Sequence, residues 1–214
     1  KSRGLGDVYK RQELKGGLPE IGKKLKRRFE RKVKLGDIRN YPRAQAYELM
    51  RTLFNDAWND NWGFVPFTEA EFAAMGKNLN LIMDPRQAQI AYVEDKPVGM
   101  MVTLPDVNEA LRGLNGRLLP LGWAKMLWRL KVAKGRRVRV PLMGVSSALH
   151  GGSLAGGVAF RLLINAWENA MAAGYKEAEL SWILEDNKAI KDVIERVGGV
   201  IYKRYRVFEK DIAS

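Results

Sequence analysis

Cysteine is absent from the sequence, and histidine occurs once, at His150. Without cysteine the chain can have no disulfides, no thiolate zinc ligands and no cysteine nucleophile. A single histidine excludes a histidine-cluster metal centre, so we expect no metal. No apolar run approaches the roughly 18 residues of a transmembrane helix, and no apolar stretch typical of a signal peptide follows the basic N-terminus. These absences predict a cytoplasmic protein, kept in a reducing compartment and not inserted into a membrane.

Positive charge is abundant but unevenly placed. The 214 residues carry a net charge of +13. Residues 1–43 contain 15 Lys/Arg and 5 Asp/Glu, whereas residues 44–214 contain 22 and 19. The basic run Lys23–Arg28 is typical of a solvated linker, although it could also contact the phosphates of nucleic acid or another polyanion. It lacks the interleaved aromatics of a base-stacking surface, so nucleic acid is not the expected partner.

Three parts can be distinguished along the chain. Residues 1–12 have no periodicity and resemble translated adapter sequence, so we expect them to be a non-native leader. Residues 13–32 are predicted to be a basic linker or helix, and residues 33–214 a single domain. The missing start methionine fits a truncated reading frame and leaves open an N-terminal domain lost by truncation.

Hydrophobic periodicity from residue 33 onward predicts the order β-α-α-β-β-α-α-β-α-β-α-β, an α/β or α+β domain with a mixed sheet. The clearest elements are a hairpin of strands 88–94 and 97–104, a helix over 155–173 and a strand over 177–184. In this last strand Glu177, Glu179 and Ser181 face away from the apolar side. Trp123 and Trp128 lie in a second helix, and because their five-residue spacing makes no clean stripe, core packing is the simpler expectation for them.

A strand, a small-residue turn and a long helix follow one another at residues 142–173. Such a turn aims backbone N–H groups and the positive end of the helix at one point, where a phosphate or pyrophosphate can bind. Glycines at 151 and 152 would let the anion approach the backbone. The simpler alternative is a strand-to-helix turn with convenient glycines.

The order of elements around this turn resembles the GNAT superfamily of acyl-CoA-dependent N-acyltransferases, and the tracts NWGFVPFTEAEF and ELSWILEDN resemble a poorly characterised GNAT-like subgroup. Met143-Gly144-Val145 matches the family's strand end, and residues 150–155 occupy its pyrophosphate loop. His150 replaces the family's Arg or Gln, and Ser153 replaces a Gly. Asn187 matches the residue that opens the helix after the next strand.

This resemblance implies a mostly antiparallel sheet with one splayed strand pair, and acetyl-CoA or a longer acyl-CoA as co-substrate. Backbone amides near Met143–Val145 would bind the thioester carbonyl and stabilise the oxyanion. The cofactor-binding residues would be Met143, Gly144, Val145, His150, Gly151, Gly152, Ser153, Leu154, Ala155 and Asn187.

The catalytic acid and base are less well marked. Family members commonly use a tyrosine as acid, but Ile194 occupies the matching position. Tyr202 is the candidate acid and Glu185 the candidate base, each with a structural alternative: strand packing for Tyr202 and helix capping for the Glu185-Asp186 pair. The aromatic residues Trp62, Phe64 and Trp182 are candidates for the acceptor site.

The predicted activity is therefore transfer of an acyl group, most simply acetyl, from acyl-CoA to a primary amine on a small molecule or peptide. The alternative is an inactive GNAT-like module that binds nucleic acid or another polyanion through its basic arm. Acceptor identity and a homodimer stay open.

Overall fold

The computed structural model describes residues 6–13, 20–61, 63–185, 187–206 and 208. Within these residues, seven strands form one sheet in the order β2-β3-β4-β5-β6-β1-β7. Within this sheet β5 and β6 run parallel, and the other neighbouring pairs are antiparallel. The strands are β1 Gly6–Glu13, β2 Lys34–Asp37, β3 Ala88–Val93, β4 Lys96–Pro105, β5 Arg137–Val145, β6 Glu177–Leu184 and β7 Val200–Arg206.

Helices connect the strands and cover both faces of the sheet. The described helices are α1 Glu20–Glu30, α2 Arg43–Trp58, α3 Glu69–Leu79, α4 Val107–Leu111, α5 Gly122–Trp128, α6 Ser153–Ala172 and α7 Lys188–Arg196. A π-helical turn, Arg129–Ala133, continues α5. None of the described helices combines the length and apolar character needed to cross a bilayer.

The alternation of side chains along β4 separates two apolar cores. Met100 and Val102 pack with Leu53 and Phe54 of α2 on one face. Met101 packs with Leu162 of α6 on the other. Because successive strand residues point to opposite faces, one strand anchors both helical layers. The sheet thus lies between α2 and α6, which pack on its opposite faces.

The predicted order of elements from residue 33 onward is confirmed, and so are several local signals. Thr68 and Glu71 form a reciprocal capping box at the start of α3. The β3–β4 hairpin turns on Glu94 and Asp95, whose φ values of 49° and 60° match the left-handed turn that suits twisted strands. The mixed, mostly antiparallel sheet predicted for the domain is confirmed as well.

Residues 6–13 differ from expectation, since they form β1 between β6 and β7, whereas their sequence showed no strand periodicity. Trp123 and Trp128 differ too, being 49% and 57% exposed. The prediction of core packing for these two tryptophans was wrong. Their five-residue spacing places no continuous apolar stripe against the sheet.

Candidate functional site

The parallel pair β5–β6 separates halfway along its length. Its register runs from Arg137 opposite Glu177 to Val140 opposite Leu180. The next residue, Pro141, has no backbone N–H to continue the ladder. β5 nevertheless stays paired with β4 as far as Val145. A gap therefore opens between the C-terminal halves of two neighbouring strands, which is the splayed pair that the family resemblance implied.

A cavity of about 590 Å³ occupies this gap. The largely aliphatic part of its lining, from α6, β6 and α7, is called its floor here, and the part from the end of α2, from β5 and from the loop and first turn of α6, with Ser181 and Asn187, is called its mouth. The floor includes Ala159, Leu163, Leu180, Ile183, Leu184, Ile190, Val193 and Ile194. The mouth includes Ala57, Trp58, Asp60, Asn61, Met143, Gly144, Val145, His150, Gly151, Gly152, Ala155, Gly156, Ser181 and Asn187.

The free edge of β5 presents backbone polar groups to the gap. The carbonyl of Met143 accepts a hydrogen bond from Trp58 Nε1 at 3.0 Å, and the carbonyl of Val145 lies 3.1 Å from His150 Nε2. Because a carbonyl only accepts, His150 must carry a proton on Nε2 to make this bond. In an extended strand the N–H and C=O of one residue point to the same side. The amides of Met143 and Val145 therefore also face away from β4, toward the gap.

The loop after β5 leads into the N-terminus of α6 at the mouth of the cavity. Gly151 has φ +77°, a left-handed conformation that favours glycine, and Gly152 is the N-cap. Within the described chain, no acidic residue lies in the first turn of α6 and no side chain caps it. The backbone N–H groups of this turn, with the positive end of the helix dipole, are therefore suited to an anion.

Asp56, from the last turn of α2, holds this loop in place. Its carboxylate accepts hydrogen bonds from the Ser147 amide at 3.0 Å and from the Ser147 hydroxyl at 2.6 Å. Burial raises the pKa of Asp56, but hydrogen bonds from the Ser147 and Ser146 side chains and the Ser147 amide outweigh it and hold that pKa below its usual value. The ionised carboxylate thus links α2, on one side of the gap, to the loop between β5 and α6 on the other.

Most of the predicted cofactor residues come together around the cavity. Eight of the ten line it, as named above. Leu154 instead packs, half-buried, against the core beneath α6, and Ser153 is exposed at the first position of the helix. Asn187 caps α7, its Oδ1 accepting from the Ile190 amide at 3.2 Å. Eight of the ten residues therefore line one cavity, and Ser153 and Leu154 do not.

The two candidate catalytic side chains lie beside the cavity rather than in its lining. Glu185 follows Leu184 at the rim, with its carboxylate 3.3 Å from Arg206 and 3.8 Å from Arg204. The Tyr202 hydroxyl donates to the buried carboxylate of Glu179. The structure does not bring the Tyr202 hydroxyl to the residues that line the gap.

Glu179 belongs to a buried charged layer on one face of β5 and β6. Arg139 Nε lies 2.6 Å from Glu179, and Arg137 Nη2 lies 3.1 Å from Glu177. Arg139 also donates to Ser181, which lines the cavity, at 3.2 Å. The parallel register sets each arginine opposite its glutamate. Glu177 and Glu179 are thus buried although they face away from the apolar side of β6.

The predicted aromatic acceptor residues are only partly placed. Phe64 is half-buried and packs edge-on against Phe54, with ring centroids 5.9 Å apart, and it does not line the cavity. Trp58 stacks on Phe54 and reaches the gap. Trp62 and the side chain of Trp182 lie outside the described residues.

Sequence reasoning missed Asp56 as the clamp on the loop and Trp58 as the donor to β5. Their partners are 91 and 85 residues away along the chain. Local periodicity carries no signal of such long-range pairs. Among the described residues, no group of three or more histidine or carboxylate side chains is placed to hold a metal ion.

A mostly antiparallel sheet, one parallel strand pair that splays, and a strand–turn–helix beside the gap define the GNAT fold, and this chain has that fold. It is similar to a GCN5-related N-acetyltransferase from Sphaerobacter thermophilus, with a TM-score of 0.58 and 13% identity over 97% of this chain and 53% of that one. It is also similar to the GCN5-related glucosamine N-acetyltransferase region of a fungal multi-domain β-N-acetylglucosaminidase, with a TM-score of 0.56 and 12% identity over 97% of this chain and 21% of that one.

Two curated proteins share more of the sequence. The bacterial ceramide synthase of Caulobacter vibrioides is 41% identical over 204 residues, which is 95% of this chain and 53% of that protein. Protein YghO of Escherichia coli K12 is 44% identical over 191 residues, which is 89% of this chain and 49% of that protein. The chain thus spans about half the length of these curated relatives. No protein-family model matches the chain.

Proposed function

We propose that this chain transfers an acyl group from acyl-CoA to a primary amine. The observation that carries the proposal is the gap between β5 and β6, where the outward-facing amides of Met143 and Val145 adjoin the uncapped N-terminus of α6. An acyl-CoA could bind to both features at once, with its thioester at the amides and its pyrophosphate at the N-terminus of α6. The fold supports the same chemistry, since solved neighbours with this fold are named N-acetyltransferases.

In this proposal the pyrophosphate lies on residues 150–155, where backbone N–H groups and the helix dipole favour negative charge. The pantetheine arm runs along the free edge of β5 and hydrogen-bonds its amides as an additional strand would. Asp56 contributes indirectly, because it fixes the loop through Ser147.

The reaction joins the amine nitrogen to the thioester carbonyl carbon. As the carbonyl oxygen becomes an oxyanion, the amides of Met143 and Val145 stabilise its charge. Collapse of the tetrahedral intermediate breaks the C–S bond and leaves an amide and the CoA thiolate, which takes up a proton. Glu185, at the rim, is the proposed base that removes the amine's proton through an ordered water.

We further propose a fatty acyl chain as the donor group and a long-chain amino alcohol as the acceptor. Ceramide synthesis, for which the Caulobacter relative is named, forms an amide between these two classes of molecule. The aliphatic floor of the cavity, lined by Leu163, Ile183 and Val193, suits a chain longer than acetyl. Acetyl transfer is the alternative, and the same assay decides between the two.

The test measures CoA release and amide formation together. Because the protein contains no cysteine, a thiol reagent detects only released CoA. The full chain is incubated with acetyl-, octanoyl- or palmitoyl-CoA and either a long-chain amino alcohol or a small polyamine, and products are identified by mass spectrometry. We expect amine-dependent thiol release and an N-acyl product, fastest with palmitoyl-CoA and the amino alcohol. If no pair releases thiol and no CoA thioester binds, the proposal fails, and retention of a short RNA would then favour the binding-module alternative.

A further inference from the structure

The connection between β4 and β5 is a helical segment outside the sheet. It contains α4, α5 and the turn Arg129–Ala133. Ala110 and Leu130 are buried and anchor it. Arg129 spans its two ends, donating to the carbonyl of Ala110 at 2.8 Å and to that of Arg112 at 2.7 Å. The segment is therefore fixed to the domain at these points while the rest of it faces outward.

The outward face of this segment is unusually apolar. Seven of the 14 exposed large apolar side chains among the described residues lie between positions 111 and 132. Leu119 is 81% exposed, Leu121 73% and Val132 65%. The remaining four are Leu111, Leu118, Trp123 and Trp128. Exposed large apolar residues concentrated in this way mark an interaction surface, because covering them with an apolar partner removes them from water.

The charges within the same segment all have one sign. Residues 110–136 contain seven Lys/Arg and no Asp/Glu. Arg112, Arg117, Lys125 and Lys131 are exposed beside the apolar side chains. Tryptophan and leucine interspersed with lysine and arginine are the composition that favours the interface of an anionic bilayer, where rings and aliphatic chains pack among headgroups and cations meet lipid phosphates.

We propose that residues 111–134 dock the protein onto the surface of an anionic phospholipid bilayer. An anionic bilayer is the proposed partner because its lipid phosphates complement the positive charge of this segment. Helix α1 is also basic, but it exposes a single large apolar side chain, Ile21. It therefore lacks the cluster of exposed apolar side chains that residues 111–132 provide. The docking goes beyond the proposed function. Docking would bring the protein to lipid substrates held in the same bilayer, and only this consequence rests on the proposed function.

The test is flotation of the full chain with vesicles, without any CoA ligand. Vesicles of phosphatidylcholine with phosphatidylglycerol are compared with vesicles of phosphatidylcholine alone. We expect binding to the anionic vesicles, a blue shift of tryptophan fluorescence, and weakening as salt is raised. The double variant Leu119→Ser/Leu121→Ser should bind at least about tenfold more weakly, since it loses two exposed apolar contacts. Lys125→Gln/Lys131→Gln should weaken binding to anionic vesicles by about thirtyfold, at about 1 kcal/mol for each of the two cations removed.

Two control variants test whether vesicle binding requires this surface or only exposed apolar or basic side chains in general. Val65→Ser/Leu81→Ser removes two equally exposed apolar side chains elsewhere and should bind like wild type. Lys23→Gln/Lys24→Gln removes charge from α1 and should retain most binding.

Three outcomes overturn the docking: no vesicle binding by wild type, equal binding by Leu119→Ser/Leu121→Ser, or a dimer in sedimentation that only this variant abolishes. Binding of acyl-CoA is measured separately, so loss of the proposed function and loss of docking are distinguishable.

Discussion

Val140 and Leu180 are the last residues of β5 and β6 that face each other in the parallel ladder. Beyond them β5 continues beside β4, and none of the described strands pairs with the amides on its second edge. A proline immediately after Val140 prevents the ladder from continuing. The cavity, the proposed thioester site and the route to α6 all follow from the end of this pairing.

Gly152→Glu should abolish CoA binding without unfolding the protein. The new carboxylate would stand at the N-cap of α6 and repel the pyrophosphate. A Cβ at this position meets the Leu149 carbonyl at 3.4 Å, an ordinary contact, so the fold should tolerate the side chain. Calorimetric titration with CoA should show at least about a hundredfold weaker binding, as expected for charge repulsion in place of attraction. Gly152→Ala, the uncharged control, should bind within a few-fold of wild type. Normal binding by Gly152→Glu would exclude the pyrophosphate from this loop.

Trp58→Phe should keep the aromatic stack on Phe54 and lose the hydrogen bond to the Met143 carbonyl. We expect a loss of about 0.5–1.5 kcal/mol in the free energy of unfolding, the usual net value of one hydrogen bond. Acyl-CoA should bind several-fold more weakly, because the edge of β5 is less firmly held. Urea unfolding and calorimetry measure the two effects, with Trp123→Phe as a control on an exposed tryptophan. Unchanged affinity would mean that this bond does not position the thioester site.

Asp56→Asn should destabilise the protein in a pH-dependent way. The folded-state pKa of Asp56 lies below its unfolded value, so its ionised form stabilises the fold above about pH 4 and that contribution disappears as the pH falls through the folded pKa. At pH 7 we expect a loss of about 1–3 kcal/mol from the charged hydrogen bonds to Ser147. The difference in Tm between variant and wild type should shrink below pH 4. A difference in Tm that is independent of pH would contradict the role of the ionised carboxylate.

Glu185→Gln and Tyr202→Phe should show which of the two side chains acts in the reaction and which one stabilises the fold. If Glu185 removes the amine proton, its variant should lower kcat by about a hundredfold. Tyr202→Phe should leave kcat within about threefold and reduce stability by about 1–3 kcal/mol, since the buried Glu179 loses a donor. The reverse pattern would make Tyr202 the proton donor and Glu185 a partner of Arg204 and Arg206 only.

Local patterns were sufficient for much of this fold. Strict alternation in β6 and the Thr68–Glu71 capping box depend on neighbouring residues, which sequence displays directly. The loop at residues 150–155 was also predictable, because a strand, glycines and a long helix follow in order.

The remaining features depend on contacts between distant residues. The Asp56–Ser147 and Trp58–Met143 bonds join α2 to β5 and its loop, and only the tertiary fold brings them together. The burial of Glu177 and Glu179 depends on a parallel register that sets Arg137 and Arg139 opposite them.

The central claim is that a CoA thioester binds in the gap between β5 and β6. The most direct measurement is the Tm of the full chain with and without saturating CoA, acetyl-CoA and longer acyl-CoAs. At a ligand concentration of about 100 times Kd, binding adds about 2.7 kcal/mol, which for a chain of this size raises Tm by about 5–10 °C. We predict such a rise with CoA thioesters in wild type and its loss in Gly152→Glu. No rise with any CoA thioester at millimolar concentration would contradict the account.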